Sequence, residues 1–234
     1  MSAEPRQDIG LVVPAYNAER FLAQALESAL AQSRPPTDIV VVDDGSSDRT
    51  TAVAKRFGSP VRVVSQPNGG IGAARNHGMA LVGGELVAFL DADDLLSDGS
   101  LVCRAHVLER RSDVDMVFGA VRRFSEILDG APLALNEPQP GQLPAAMLIR
   151  RTALDRVGAF LTDTHVAEGL DWMLRARELG LGELTLEEQV IWRRVHGENN
   201  SLRHRGEIGE FARALKASLD RRRSTGRIAA EEQR

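Results

Sequence analysis

Four short apolar runs, each broken off by a polar or acidic cluster, constrain the fold of this chain more than any other feature. IGLVVPAY (9–16) is stopped by Pro14, just before Asn17. DIVVVDDG (38–45) ends on Asp43, Asp44 and Gly45, and VRVVSQP (61–67) stops at Asn68. ELVAFLD (85–91) ends in the acids Asp91, Asp93 and Asp94. Between the runs lie segments of helical periodicity: 18–32, then 47–58, which Ser47 or Asp48 is suited to cap, and the small-residue segment 70–84. Strands alternating with helices imply a parallel sheet, and near-continuous apolar strands imply helices on both of its faces. Ligands of such sheets gather beyond the carboxyl ends of the strands. Pro14–Asn17, Asp43–Asp44, Gln66–Asn68 and Asp91–Asp94 all lie there and converge on one rim.

The later half is less regular. Its pattern predicts a helix over 100–111, strands over 115–124 and 145–151, and a helical turn over 152–160. An amphipathic helix is expected over 166–180, with Leu170, Met173, Leu174 and Leu179 on its apolar side. A strand from 186 leads into a polar loop ending at 201, and a terminal helix covers 206–223. Residues 125–144 hold four of the ten prolines and read as a mobile loop.

A net charge of −4 gives no field for a nucleic-acid binder. The single cysteine, Cys103, excludes a disulfide within the chain and suits a cytoplasmic setting, as a buried small apolar group. MSAEPRQD has no apolar signal core, and no stretch approaches the ~20 apolar residues that cross a bilayer. Membrane contact, if any, is expected to be peripheral. The basic run Arg221-Arg222-Arg223 reads as a solvated helix end.

The acidic tip needs a positive partner, because clustered carboxylates repel each other and are costly to desolvate. In Asp91-Ala92-Asp93 the alternation of a strand lets residues i and i+2 share a side, so both can approach one divalent cation, Mn²⁺ or Mg²⁺. On its own this spacing also fits a surface loop in which Asp94 or Ser97 caps the next helix.

The stretches VVPAYNAERFLAQALESALAQ, DIVVVDDGSSDRT, QPNGGIGAARNHGMALVGGELVAFLDADD and RRVHGENNS together resemble the family 2 glycosyltransferases. These are inverting, metal-dependent, nucleotide-sugar enzymes of the GT-A fold. The motifs stand in the family's order over roughly residues 9–201. The resemblance implies an α/β fold of GT-A type, a mostly parallel sheet flanked by helices. It implies a nucleotide-binding half over 9–95 and an acceptor half over 96–205, between a polar tail (1–8) and a C-terminal helix and tail (206–234). It implies that Pro14, Tyr16 and Asn17 cradle the nucleoside of a donor that by family habit is a UDP-sugar, that Asp44 accepts a hydrogen bond from the base, and that Asn68 joins that rim. Arg75 is expected near the phosphates. Asp93 is expected on the metal, Asp91 on ribose or metal, and His196 beside metal or diphosphate.

One position departs from the family pattern. The Glu-Asp pair that supplies the acceptor base falls on Glu168-Gly169, so the aspartate is a glycine. Glu168 and Asp171 flank it three residues apart on one helix face, and either can take the role; both also suit a positive helix N-terminus. Gly169 therefore keeps a non-catalytic nucleotide-sugar-binding module in view. A nucleotidyltransferase is disfavoured, because PAYNAERF rather than a glycine-rich phosphate loop follows the first strand. The acceptor is unreadable, Trp172 and Trp192 being its candidate stacking platforms or core, and a dimer is compatible with the sequence.

Overall fold

Each apolar run of the first half becomes a strand; β1, β2 and β4 are buried on both faces, whereas β3, at the end of the sheet, is only partly buried. In the computed structural model, which describes residues 7–197 and 207–232, the order is β1 (Ile9–Ala15), α1 (Leu22–Leu30), β2 (Asp38–Asp43), α2 (Thr50–Lys55), β3 (Val61–Ser65), α3 (Gly70–Leu81) and β4 (Leu86–Phe89). β5 (Leu95–Leu96), α4 (Ser100–Arg110), β6 (Met116–Leu128), β7 (Ala131–Ala134) and β8 (Gln139–Gly141) follow. A 3₁₀ turn (Pro144–Ala146), β9 (Leu148–Arg150), α5 (Arg151–Val157), α6 (Glu168–Glu178), β10 (Glu183–Arg194) and α7 (Ile208–Glu232) complete the chain. The first six residues of the expected N-terminal tail, the polar loop expected at 198–201, and residues 202–206 and 233–234 lie outside the described residues.

One sheet joins both halves in the order β3-β2-β1-β4-β9-β6-β10-β5, with β7 and β8 paired to β6. β3, β2, β1 and β4 are parallel. β9 runs antiparallel between β4 and β6, so the second half is mixed. Alternation along the strands sorts the core into two layers. Ile9, Leu11 and Val13 of β1 pack with Leu22, Leu26 and Leu101 on one face. Val12, Val40 and Phe89 pack with Ala74, Phe160 and Trp172 on the other.

The predicted loop over 125–144 is instead largely β-structure. β6 continues to Leu128, turns at Asp129-Gly130, both with positive φ (50° and 81°), and returns as β7. Asp-Gly between extended segments is the signature of a two-residue hairpin turn of the primed type. Pro132 and Pro140 stand on β7 and β8, which pair only with β6 among the described strands; proline is tolerated on such edges.

The expected apolar side of α6 is also corrected. Met173 and Leu174 are buried as expected, but Leu179 is exposed and Leu170 only half-buried, while Trp172 and Ala176 join the buried side. The helix is aimed by Trp172, which stacks on Phe160 at 5.4 Å and donates from Nε1 to the Gly158 carbonyl at 2.8 Å. Nor is Arg221 a solvated helix end. It bonds Glu178 through Nε at 2.6 Å and reaches Asp171 at 3.3 Å, pinning α7 to α6. Cys103 is half-buried and donates to the Ser100 carbonyl. No helix among the described residues is long and apolar enough to cross a membrane.

Small residues let α3 lie close on the sheet. A Cβ at Gly78 would stand 2.3 Å from Val12 Cγ1 and 3.2 Å from Val42 Cγ2. Both neighbours are β-branched and held in strands, so neither can swing away. Gly78→Ala is therefore expected to destabilise the fold by about 1–3 kcal/mol. The check is a urea unfolding midpoint that falls while the slope stays constant.

Candidate functional site

The carboxyl ends of β1, β2, β4 and β10 enclose a cavity of about 470 Å³. Tyr16, Asn17, Asp44 and Asn68 line one side of it. Asp91, Asp93 and Asp94 form the wall beyond β4, and His196 faces them from beyond β10. Thr164 and His165, just before α6, complete the lining together with Arg193.

The rim owes its shape to local chemistry. Leu90 N–H donates to the Val12 carbonyl, so even-numbered residues of β1 face β4. Pro14 falls on that side beyond Phe89, the end of β4, and its missing N–H costs no ladder bond. Pro14 thus ends the β1–β4 pairing and still lines the cavity. Asn17 adopts the left-handed region (φ 48°), which asparagine tolerates well. Its Oδ1 accepts from Ser47 N–H at 2.8 Å and its own N–H donates to Ser46 Oγ, tying the β1 turn to the β2 turn. Tyr16 is left 48% exposed over the cavity.

The two acids after β2 divide the work. Asp43 makes the turn, accepting from Ser46 N–H at 3.1 Å and Thr51 Oγ1 at 2.6 Å. Burial opposes its charge, but these hydrogen bonds prevail and hold its carboxyl below the usual range. Asp44 accepts from Gln66 Nε2 at 2.7 Å, from Gly69 N–H at 2.9 Å and from Gly70 N–H at 2.8 Å. It thereby satisfies the first orphan donors of α3. Three of a carboxylate's roughly four acceptor positions are filled, so Asp44 has room for one further donor from the cavity.

The positive partner of the acidic tip is Arg75. It is 3% exposed, donates to Asp91 Oδ1 at 3.0 Å and to Glu168 Oε1 at 2.7 Å, and lies over the Phe160 ring. Burial opposes its charge, yet Asp91 and Glu168 keep its pKa above the ordinary arginine value. The structure does not place Arg75 among the cavity-lining side chains. It sits beneath the rim and aims Asp91. Asp93 pairs with His196, Oδ2 to Nε2 at 2.9 Å. Asp94 is buried and accepts from Arg194 N–H at 2.8 Å. Burial, then the charges of Asp93 and Asp91, push Asp94 well above the usual carboxylate range.

Neither acid expected to serve as the base lines the cavity. Glu168 is spent on Arg75. Asp171 is 2% exposed and bonds Arg175 at 2.8 Å and Arg221 at 3.3 Å. Gly169 has a packing reason: a Cβ there would meet Pro144 at 3.1 Å. Gly72 has one too, since a Cβ would stand 2.0 Å from the Leu161 carbonyl oxygen, against which α3 is pressed. Trp172 is core, and Trp192 packs edge-on against Phe124; neither lines the cavity.

Sequence reasoning passes over Arg194, which holds the acidic loop from β10. Its Nε donates to the Asp93 carbonyl at 2.9 Å and its guanidinium lies between the rings of Phe21 and Phe124. Its neighbourhood in RRVHGENN was the available signal. Thr164 and His165 carried none, because no periodicity or motif places a loop before a helix against a distant rim.

The donor set bears on a metal. Among the described residues, no three His, Cys, Asp or Glu side chains cluster to hold an ion alone. Asp91, Asp93 and His196 nonetheless face one cavity. Mg²⁺-type ions commonly take one or two carboxylates and complete their shell with substrate phosphates and water. The residues fit an ion shared in that way with a diphosphate.

Residues 11–161 match the family model described as Glycosyl transferase family 2. An uncharacterized glycosyltransferase of Nostoc sp. is 30% identical over 83% of this chain and 66% of its own length. The hyaluronan synthase of Pasteurella multocida is 28% identical over 85% of this chain and 21% of its own. The fold is that of S. aureus TarS 1-349, solved with UDP (TM-score 0.71, 21% identity, 91% of this chain and 65% of that one) and with UDP-GlcNAc (TM-score 0.70, 22% identity, 82% and 60%). The chain thus spans less than two thirds of the length of each of these proteins.

Removing Arg75 leaves Glu168 buried without its cation. Glu168 Oε2 and Arg75 Nε already lack hydrogen-bond partners among the described residues. Arg75→Ala is expected to cost about 3–5 kcal/mol of stability, read by chemical denaturation. Adding Glu168→Gln should recover part of that loss.

Proposed function

The chain belongs to glycosyl transferase family 2, and on that premise we propose that it transfers a sugar, with inversion, from a UDP-sugar to an acceptor. The observation that carries this reading is the acid-tipped β4 facing a nucleotide-sized cavity, with Tyr16 and Asp44 on the opposite side. The UDP and UDP-GlcNAc complexes of TarS, which shares the fold, support the choice of donor.

In this reading Pro14 and Tyr16 hold the nucleoside, and Asp44 spends its remaining acceptor position on the base. Asn17 and Asn68 close the rim around it. Asp91, oriented by Arg75, meets the ribose or the metal, while Asp93 and His196 meet metal and diphosphate. Mn²⁺ or Mg²⁺ held there with the donor phosphates supplies charge neutralisation to the departing diphosphate. Inversion follows from one displacement. An acceptor oxygen bonds to the anomeric carbon from the far face, and the bond to the diphosphate breaks with its electron pair on the leaving oxygen. The acceptor's proton needs a base. Glu168 and Asp171 keep structural parts, the first under Arg75 and the second between α6 and α7. The half-buried lone cysteine and the use of a nucleotide sugar suit the cytoplasm.

Gly169 favours one second reading, a module that binds the nucleotide sugar without turning it over. A Cβ there would press on Pro144 at 3.1 Å, so the glycine at the family's aspartate position also has a packing role.

Thermal denaturation with nucleoside diphosphates tests donor binding. UDP with Mn²⁺ or Mg²⁺ at one hundred times its dissociation constant is expected to stabilise the chain by about 2.7 kcal/mol. Asp93→Ala is expected to abolish the part of that gain that depends on metal. Failure of UDP, GDP, ADP and CDP alike to shift the transition would sink the reading. Release of UDP from a UDP-sugar separates the transferase from the binding module.

A further inference from the structure

We propose that His165 is the base that takes the acceptor's proton, presented by a loop that Glu210 of α7 clamps in place. The inference rests on the transferase reading above and supplies the one group which that reading lacks. It concerns residues beyond the matched family region, which ends at 161.

The acids near the cavity each hold part of the site together. Asp44 caps α3, Asp91 is bound by Arg75, and Asp94 is buried against the Arg194 amide. Asp93 and His196 are bonded to each other on the diphosphate side. Glu168 and Asp171 are held by arginines and do not line the cavity. His165 is exposed, lines the cavity, and comes from the segment just before α6, beside the position where the family places its base. An imidazole can take up a proton near neutral pH.

The loop is built to hold that position. One carboxylate oxygen of Glu210, Oε2, accepts from the Thr164 hydroxyl, from His165 N–H at 2.9 Å and from Val166 N–H at 3.0 Å. Thr164 Oγ1 also accepts from Ala167 N–H at 3.2 Å, carrying the loop into α6. Glu210 is 6% exposed although it sits in the first turn of a largely solvated helix. Burial opposes its charge, and the hydrogen bonds from Thr164, Val166 and His165 outweigh it, so its carboxyl lies below the usual range. Three donors on one buried carboxylate oxygen fix the backbone on both sides of the His165 side chain. In the reaction the acceptor hydroxyl bonds to the anomeric carbon, its proton passes to an imidazole nitrogen of His165, and the electron pair of the broken bond leaves with UDP.

The test measures UDP binding by calorimetry and UDP release from a panel of UDP-hexoses and UDP-N-acetylhexosamines with Mn²⁺. His165→Ala and His165→Gln are expected to bind UDP as the wild type does and to lower kcat by about 100-fold or more. Added imidazole should restore part of the turnover of His165→Ala and none to Asp93→Ala. Glu210→Ala should lower kcat with little change in KM for the donor, whereas Glu210→Gln, which keeps an acceptor oxygen, should retain most of it. UDP release at the wild-type rate by a His165→Ala chain that binds UDP overturns the inference and leaves the transferase reading standing. A wild-type chain that binds UDP but cleaves no donor overturns the inference, and one that does neither overturns both.

Discussion

The guanidinium of Arg75, buried between Asp91 and Glu168, is the interaction on which the site depends. It joins α3 to the tip of β4, 16 residues away, and to the start of α6, 93 residues away. Such a buried pair adds little net stability beside an apolar substitute, but it punishes loss of either side. Its value here is placement. With Asp91 oriented by Arg75, Asp91, Asp93 and His196 all face the cavity. Gly72 serves the same end, because a side chain there would push α3 off the Leu161 backbone and open the Arg75–Glu168 contact.

A division of labour follows around the rim. The wall that carries Asn17 and Asp44 is made by strand ends and the turns after them, where these polar side chains also stabilise their own turns. Asp44 caps a helix and retains a lone pair for a ligand. Asn17 knits two loops in a backbone conformation few residues accept. The wall that carries Thr164 and His165 leads into a helix. α6 is oriented by Trp172 and then covered by α7, so its first-turn acids are buried and paired rather than offered to the cavity. The polar face of α6 is the surface on which α7 docks, through Arg221, Ser218 and Glu178.

Much of the first half could be read directly. Apolar runs and their polar ends identified β1 to β4 and the convergence of their tips. The motifs around Asp44, Arg75 and Asp91–Asp93 pointed to the family. The second half resisted for identifiable reasons. Four prolines within 125–144 outweighed the Asp129-Gly130 signal, although two of them stand on edge strands that tolerate them. Leu170 and Leu179 of α6 suggested a wider apolar face than the one that Trp172 fixes by stacking on Phe160. Arg221 looked solvated because its partners, Glu178 and Asp171, lie on another helix.

Local order was the sequence's own contribution: residues two apart share a strand face, residues three and four apart share a helix face, and caps and turns act within a few positions. Those short-range rules were enough for the αβ alternation and for an acid cluster at the end of a strand. Which charge answers which acid was settled only in three dimensions. Arg75 finds Glu168, Glu210 finds the 164–166 loop, and Arg194 finds the β4 tip across separations that no periodicity spans. Burial decides these pairings, because a charge removed from water must take the partner that the packed chain brings within reach.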